Sequence, residues 1–193
     1  MNKTEANLQS HFIGIPAHSN GAVAFTYASG DTVFEGDPMP GVLAHEISHS
    51  IDFNAFPQFK SPFSHNPEWT AEYAKDTHTV NGYGRTNWLE DFAATGRVAF
   101  YDTVVPGGFR DVAPNWQQIS HQFQTYEKYC KDIITPGGTC GKRFPNSPKV
   151  SKSGTNLEPV EHDVFPRAEH NITNIVAPPE YEEIVMYNFH GDE

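Results

Sequence analysis

The stretch Gly41-Val42-Leu43-Ala44-His45-Glu46-Ile47-Ser48-His49-Ser50-Ile51-Asp52 decides how this chain is read. Its centre, His45 to His49, has the pattern H-E-x-x-H. Residues four apart on an α-helix share a face, so both imidazoles can reach one metal ion. Glu46 then sits beside the remaining coordination position, where a base can take a proton from water. Val42, Leu43, Ala44 and Ile47 suit a buried helix, and burying His and Glu there without a partner would be costly. The pattern predicts a metal-binding helix that starts just after Pro40-Gly41 and frays between Phe53 and Pro57.

Upstream, Ala22 to Tyr27 and Asp31 to Phe34 are β-prone runs divided by Ser29-Gly30. They predict a small antiparallel or mixed sheet whose edge strand lies beside the metal helix. Such an edge offers unpaired backbone groups to an extended peptide, or serves as an ordinary hairpin supporting the core. Downstream, Asn66-Pro67-Glu68-Trp69 supplies a cap, a first-turn proline and an acidic first turn for a second helix. A third helix is expected from about Thr86 to Val105, stopping before Pro106-Gly107-Gly108. A fourth is expected from Asn115, with Gln118 three residues on, to about Ile134. Its Trp116, Ile119, Phe123, Tyr126 and Ile133 recur mostly at helical spacing and read as core.

Two histidines leave a zinc site short of its third protein ligand. The layout H-E-x-x-H-x-x-G-x-x-H would need Gly at 52 and His or Asp at 55, but the chain has Asp52 and Ala55. No downstream Gly-Thr-x-Asp run offers an aspartate. A glutamate from a later helix remains, and Glu90 stands on one; on composition alone Asp91 and Glu72 compete with it.

The run Tyr83-Gly84-Arg85-Thr86-Asn87, followed by Glu90, Phe92 and Ala93, resembles the catalytic motif of the anthrax lethal-factor-like zinc endopeptidases. The resemblance spans about residues 42 to 93, and His45 to Asp52 also matches that family's H-E-x-x-H-x-x-D helix. It implies a gluzincin in which His45, His49 and Glu90 bind zinc. It further implies Glu46 as general base and Tyr83 as hydroxyl donor at the reacting carbonyl. The family usually carries a second acid four positions after the glutamate ligand, where it can hydrogen-bond a ligand histidine. This chain has Ala94 there, with Asp52 or Asp91 as the available substitutes.

The bulk properties narrow the partners. A chain of 193 residues is long enough for one domain with a real core. A formal net charge of -11 argues against nucleic acid and anionic membrane surfaces. No apolar run approaches the roughly 20 residues of a membrane span. Met1 to Glu5 are polar and hold no leader core, and Met1 reads either as native or as standing in place of a removed leader. The sequons at Asn2 and Asn171 nonetheless favour a secreted glycoprotein, and Cys130 and Cys140 flank a Pro136-Gly137-Gly138 turn that suits a disulfide. From Gly141 onward prolines recur and apolar periodicity fades.

Together these features predict an α+β, zincin-like metallopeptidase core over residues 1–140 and an extended proline-rich segment over 141–193. The expected function is a monomeric, secreted zinc endopeptidase acting on peptide or protein through a metal-activated water. The alternative is a weakly active or inactive zincin-fold binding or structural protein with its cleft covered by the C-terminal segment. A zinc hydrolase acting on a non-peptide amide would share the H-E-x-x-H helix. His18, His65, His78, His121, His162, His170 and His190 show no paired spacing and read as surface or packed residues. Asp31, Glu35 and Asp37 read as a solvated acidic turn.

Overall fold

Residues 11–16 and 24–137, with the backbone of 182–183, are described by the structure, a computed structural model. In chain order they form β1 (Phe12–Ile15), β2 (Ala24–Thr26), β3 (Thr32–Glu35), α1 (Pro40–Asn54), α2 (Pro67–Tyr73) and β4 (His78–Thr79). There follow α3 (Trp88–Val104), α4 (Gly108–Val112), α5 (Ser120–Ile134) and β5 (Glu182–Glu183). Short 3-10 turns occupy Phe63–His65, Gly82–Arg85 and Trp116–Ile119. The fold is α+β.

The first sheet is mixed, in the order β1-β3-β2: β1 runs parallel to β3 and β2 antiparallel to it. Gly30, at φ 89°, closes the β2–β3 connection by donating its N–H to the Tyr27 carbonyl. Among the described strands of this sheet, β2 lies at an edge and is the strand beside α1. Asn54, at the end of α1, donates its amide to the Ala28 carbonyl and ties the helix to that hairpin.

Helix α1 begins at Pro40, whose lack of an N–H costs nothing in a first turn. Its buried positions differ from those expected. Leu43 is at the surface, whereas Glu46, Ser48, Ser50 and Asp52 are buried with Ala44 and Ile51. The helix is covered by the sheet as well as by α3, so its polar side chains lie inside and find partners there.

Helix α3 packs across α1 and against α5. Its Phe92, Ala94 and Val98 join Ile51, Phe63, Trp69, Phe109, Ile119, Phe123 and Tyr126 in the core. The aromatic stripe of the last helix is core as expected, with Trp116 and Ile133 partly buried against it. That helix starts later than Asn115, at Ser120, because its cap comes from elsewhere. The buried Asp76 carboxylate accepts the backbone N–H groups of His121 and Gln122. The Pro106-Gly107-Gly108 run ends α3 as expected but leads at once into the short α4, with both glycines at positive φ.

Cys130 is buried in the core on α5. Its expected partner, Cys140, lies outside the described residues, as do both sequons and most of residues 141–193. Within that last segment, β5 pairs in parallel with β4. Among the described residues, no helix is long and apolar enough to cross a membrane.

Candidate metal centre and its surroundings

Helix α1 presents His45 and His49 one turn apart, their rings edge-to-face with centroids 4.8 Å apart. Helix α3 brings Glu90 to them. His45 Nε2 is 3.0 Å and His49 Nε2 is 3.3 Å from the same oxygen, Glu90 Oε2. A tetrahedral zinc site with bonds of about 2.0–2.1 Å has ligand-to-ligand edges of about 3.4 Å. The two nitrogen-to-oxygen separations are close to that edge length, and all three donor atoms lie within 4.8 Å of one another, so the donor set and its spacing are compatible with such an ion.

The local sequence explains how Glu90 is held. Asn87 caps α3, and its side-chain oxygen accepts the backbone N–H of Glu90 itself at 2.9 Å. Glu90 thus occupies the third helical position, in an acidic first turn that complements the helix dipole. Of its competitors, Glu72 pairs at the surface with Lys75, and Asp91 points into the core.

The charges are strongly coupled. Burial pushes the Glu90 carboxyl up, but the hydrogen bonds and charges of His45 and His49 outweigh this and hold it at about 2. Burial pushes the His49 imidazole down, whereas the hydrogen bond and charge of Glu90 raise it, helped by the charges of Glu46 and Asp52; the net shift is upward.

Tyr83 lies in the 3-10 turn Gly82–Arg85, stabilised by Asn81, which accepts the Gly84 N–H, and by Thr86, whose hydroxyl donates to the Tyr83 carbonyl. Its ring centroid is 6.0 Å from that of His45, and the residue is 59% exposed. The charge of Glu90, then burial, then the charge of Glu46 raise its phenol above the ordinary value.

Ala94 is fully buried, and a Cβ placed on Gly84 would meet its methyl at 3.6 Å. The Tyr83 turn therefore packs directly on α3 at this point. The two aspartates expected to replace an acid there do not do so by hydrogen bonding. Asp52 spends one oxygen on the Ser64 N–H and the other on the Ser64 hydroxyl, both at 2.7 Å. It reaches His49 only through its charge. Asp91 is fully buried beside Trp69, whose indole N–H opposes the upward push of burial without forming a hydrogen bond of ordinary geometry. Burial holds its carboxyl well above the usual range, and the charge of Asp76 adds to this.

Glu46 is buried on the sheet side of α1, and the Thr26 hydroxyl donates to its Oε2 at 2.7 Å. Sequence reasoning passed over Thr26, because a threonine in a β-strand is ordinary and nothing local marks its partner. The other described histidines lie elsewhere: His65 against Trp88, His78 buried on β4, and His121 paired with Asp76. Asp31 pairs with His11 and accepts the Ser29 hydroxyl, a local surface arrangement.

No protein-family model matches this chain, and no solved structure matches it. A stretch of 65 residues is 35% identical to conidiation-specific protein 13 of Neurospora crassa, covering 33% of this chain and 19% of that protein. The chain thus matches less than a fifth of that relative's length.

Proposed function

We propose that this chain is a zinc-dependent endopeptidase with a zincin-like fold, resembling the lethal-factor-like gluzincins. His45, His49 and Glu90 would hold the metal. The observation that carries this reading is the convergence of two imidazole nitrogens, four residues apart on α1, on one carboxylate oxygen from α3. Zinc bound there would supply a Lewis acid that polarises a carbonyl and lowers the pKa of water.

Glu46 accepts a proton from the attacking water as its oxygen bonds to the scissile carbonyl carbon. It then gives that proton to the amine nitrogen as the C–N bond breaks. Tyr83 keeps its proton at neutral pH as phenols ordinarily do, and Glu90, burial and Glu46 push it further in that direction. It donates a hydrogen bond to the carbonyl oxygen as negative charge develops. Strand β2, at an edge and beside α1, offers backbone groups for an extended peptide or protein substrate. Secretion and a monomeric state belong to the same reading.

A second reading, a weak or inactive zincin-fold binding protein, draws support from two observations. Ala94 stands where such enzymes carry an acid. Strand β5 (residues 182–183) also pairs with β4, the strand that leads into the Tyr83 turn.

A mixed peptide library incubated with zinc-loaded protein, read by mass spectrometry beside Glu46→Gln at equal zinc occupancy, separates the two. Cleavage by the parent alone is the expected result. Equal cleavage by both would overturn the role of Glu46, and no cleavage by either would favour the binding reading.

A further inference from the structure

Glu46 is tied to the sheet through a pair of threonine hydroxyls. Thr26 and Thr32 are register partners in β2 and β3, so their side chains share one face of the sheet at the same level. Their hydroxyl oxygens are 2.9 Å apart. Thr26 Oγ1 is also 2.7 Å from Glu46 Oε2 and 3.1 Å from the Glu46 carbonyl oxygen. A hydroxyl has one proton to donate, and a carboxylate is an acceptor whose charge strengthens the bond. The Thr26 proton therefore goes to Oε2, and the Thr32 hydroxyl donates to Thr26. Thr32 is fully buried on the central strand, so the chain of hydroxyls starts from a fixed point.

We infer that Thr26, backed by Thr32, is a positioning pair for the Glu46 base: it holds Oε2 against the sheet and leaves Oε1 to exchange the proton with water. This rests on the peptidase reading above. A glutamate has three side-chain torsions, and nothing on α1 itself need select among them. A bond from a neighbouring strand does so, and positional errors of about 1 Å at a reacting group can cost about 100-fold in rate.

The test compares Thr26→Val, which keeps the shape and removes the hydroxyl, with Thr26→Ser, which keeps the hydroxyl. The zinc-loaded full chain is used, with Thr26→Ala as a second variant should valine impair folding. In Thr26→Val, kcat should fall about 10- to 100-fold with KM and zinc stoichiometry unchanged. Thr26→Ser should restore kcat to within a few fold. Thr32→Val should lose less than Thr26→Val, because Thr26 keeps its own proton to donate. A crystal structure of metal-free Thr26→Val should show the Glu46 carboxylate displaced from its place in the parent protein. If the parent cleaves, Glu46→Gln does not, and Thr26→Val matches the parent in kcat with an unmoved carboxylate, the positioning role is overturned while the peptidase stands. If the parent at full zinc occupancy cleaves nothing, the peptidase reading fails and the positioning role falls with it.

Discussion

A Cβ placed on Gly96 would lie 2.1 Å from the Ser48 hydroxyl oxygen and 2.7 Å from Ser48 Cβ. The helices that carry the three candidate ligands therefore cross in near contact at this pair, and Ser48 is anchored there by its bond to the Tyr126 hydroxyl at 3.0 Å. Gly96→Ala must push α1 and α3 apart. It should cost about 1–3 kcal/mol in urea unfolding, and it should weaken zinc binding by moving Glu90 from the histidines. Unaltered zinc affinity in a destabilised variant would show that this crossing does not set the ligand spacing.

Zinc content tests the ligand set directly. The parent protein should hold one equivalent by elemental analysis, and His45→Ala, His49→Ala and Glu90→Ala should each lose most of it. Asp91→Asn and Glu72→Ala should keep it, because neither side chain reaches the cluster. Full zinc in His45→Ala would end the metal assignment.

Asn87 bonds to the backbone of a candidate ligand, so its loss should be felt twice. Asn87→Ala should destabilise the fold by about 1 kcal/mol, the usual cost of an N-cap. It should also weaken zinc binding, because Glu90 loses the bond that fixes its first turn. Calorimetric titration of zinc, paired with thermal melts, measures both.

Burial raises the Asp52 carboxyl from 3.8 to about 7, although both Ser64 groups, the His49 charge and the Phe63 backbone oppose it. A carboxyl raised on folding contributes stability that is fully present below its unfolded pKa and is lost as pH rises through the folded value. Metal-free parent protein should therefore fall behind Asp52→Asn as pH rises from about 4 to 7, with the gap level above that. Melting temperatures of both proteins across this range check the sign. A gap that narrows with rising pH would mean that Asp52 is stabilised as the charged form.

Tyr83 is half open to solvent and outside the candidate ligand triad, so its hydroxyl can be removed with little structural effect. Tyr83→Phe should retain zinc and KM while kcat falls about 100- to 1000-fold, the range for a lost oxyanion donor. Steady-state kinetics on a peptide found from the library would decide this, and an unchanged kcat would remove Tyr83 from the mechanism.

Much of the frame was legible because its signals are local. Helix α1 is announced by Pro40 and by histidines at helical spacing, α2 by Asn66-Pro67, and the end of α3 by Pro106-Gly107-Gly108. The candidate ligands on α1 follow from the 3.6-residue period alone. The α5 boundary was misplaced because its cap, Asp76, lies more than forty residues earlier in the chain. The covered polar face of α1 was missed for a related reason: apolar periodicity does not reveal a helix enclosed on several sides.

What the sequence determined by itself was therefore chemical inventory and local geometry: two histidines on one face, a candidate base between them, and a glutamate on a later helix. Only the tertiary structure decided that Glu90, and neither Asp91 nor Glu72, meets those histidines, since that depends on how closely α1 and α3 cross at Ser48 and Gly96. It likewise joined Thr26 to Glu46 and Ser64 to Asp52. Such pairings bring together residues that are remote in sequence, and the hydrogen-bonding need of a buried side chain limits the kind of partner without specifying its position in the chain.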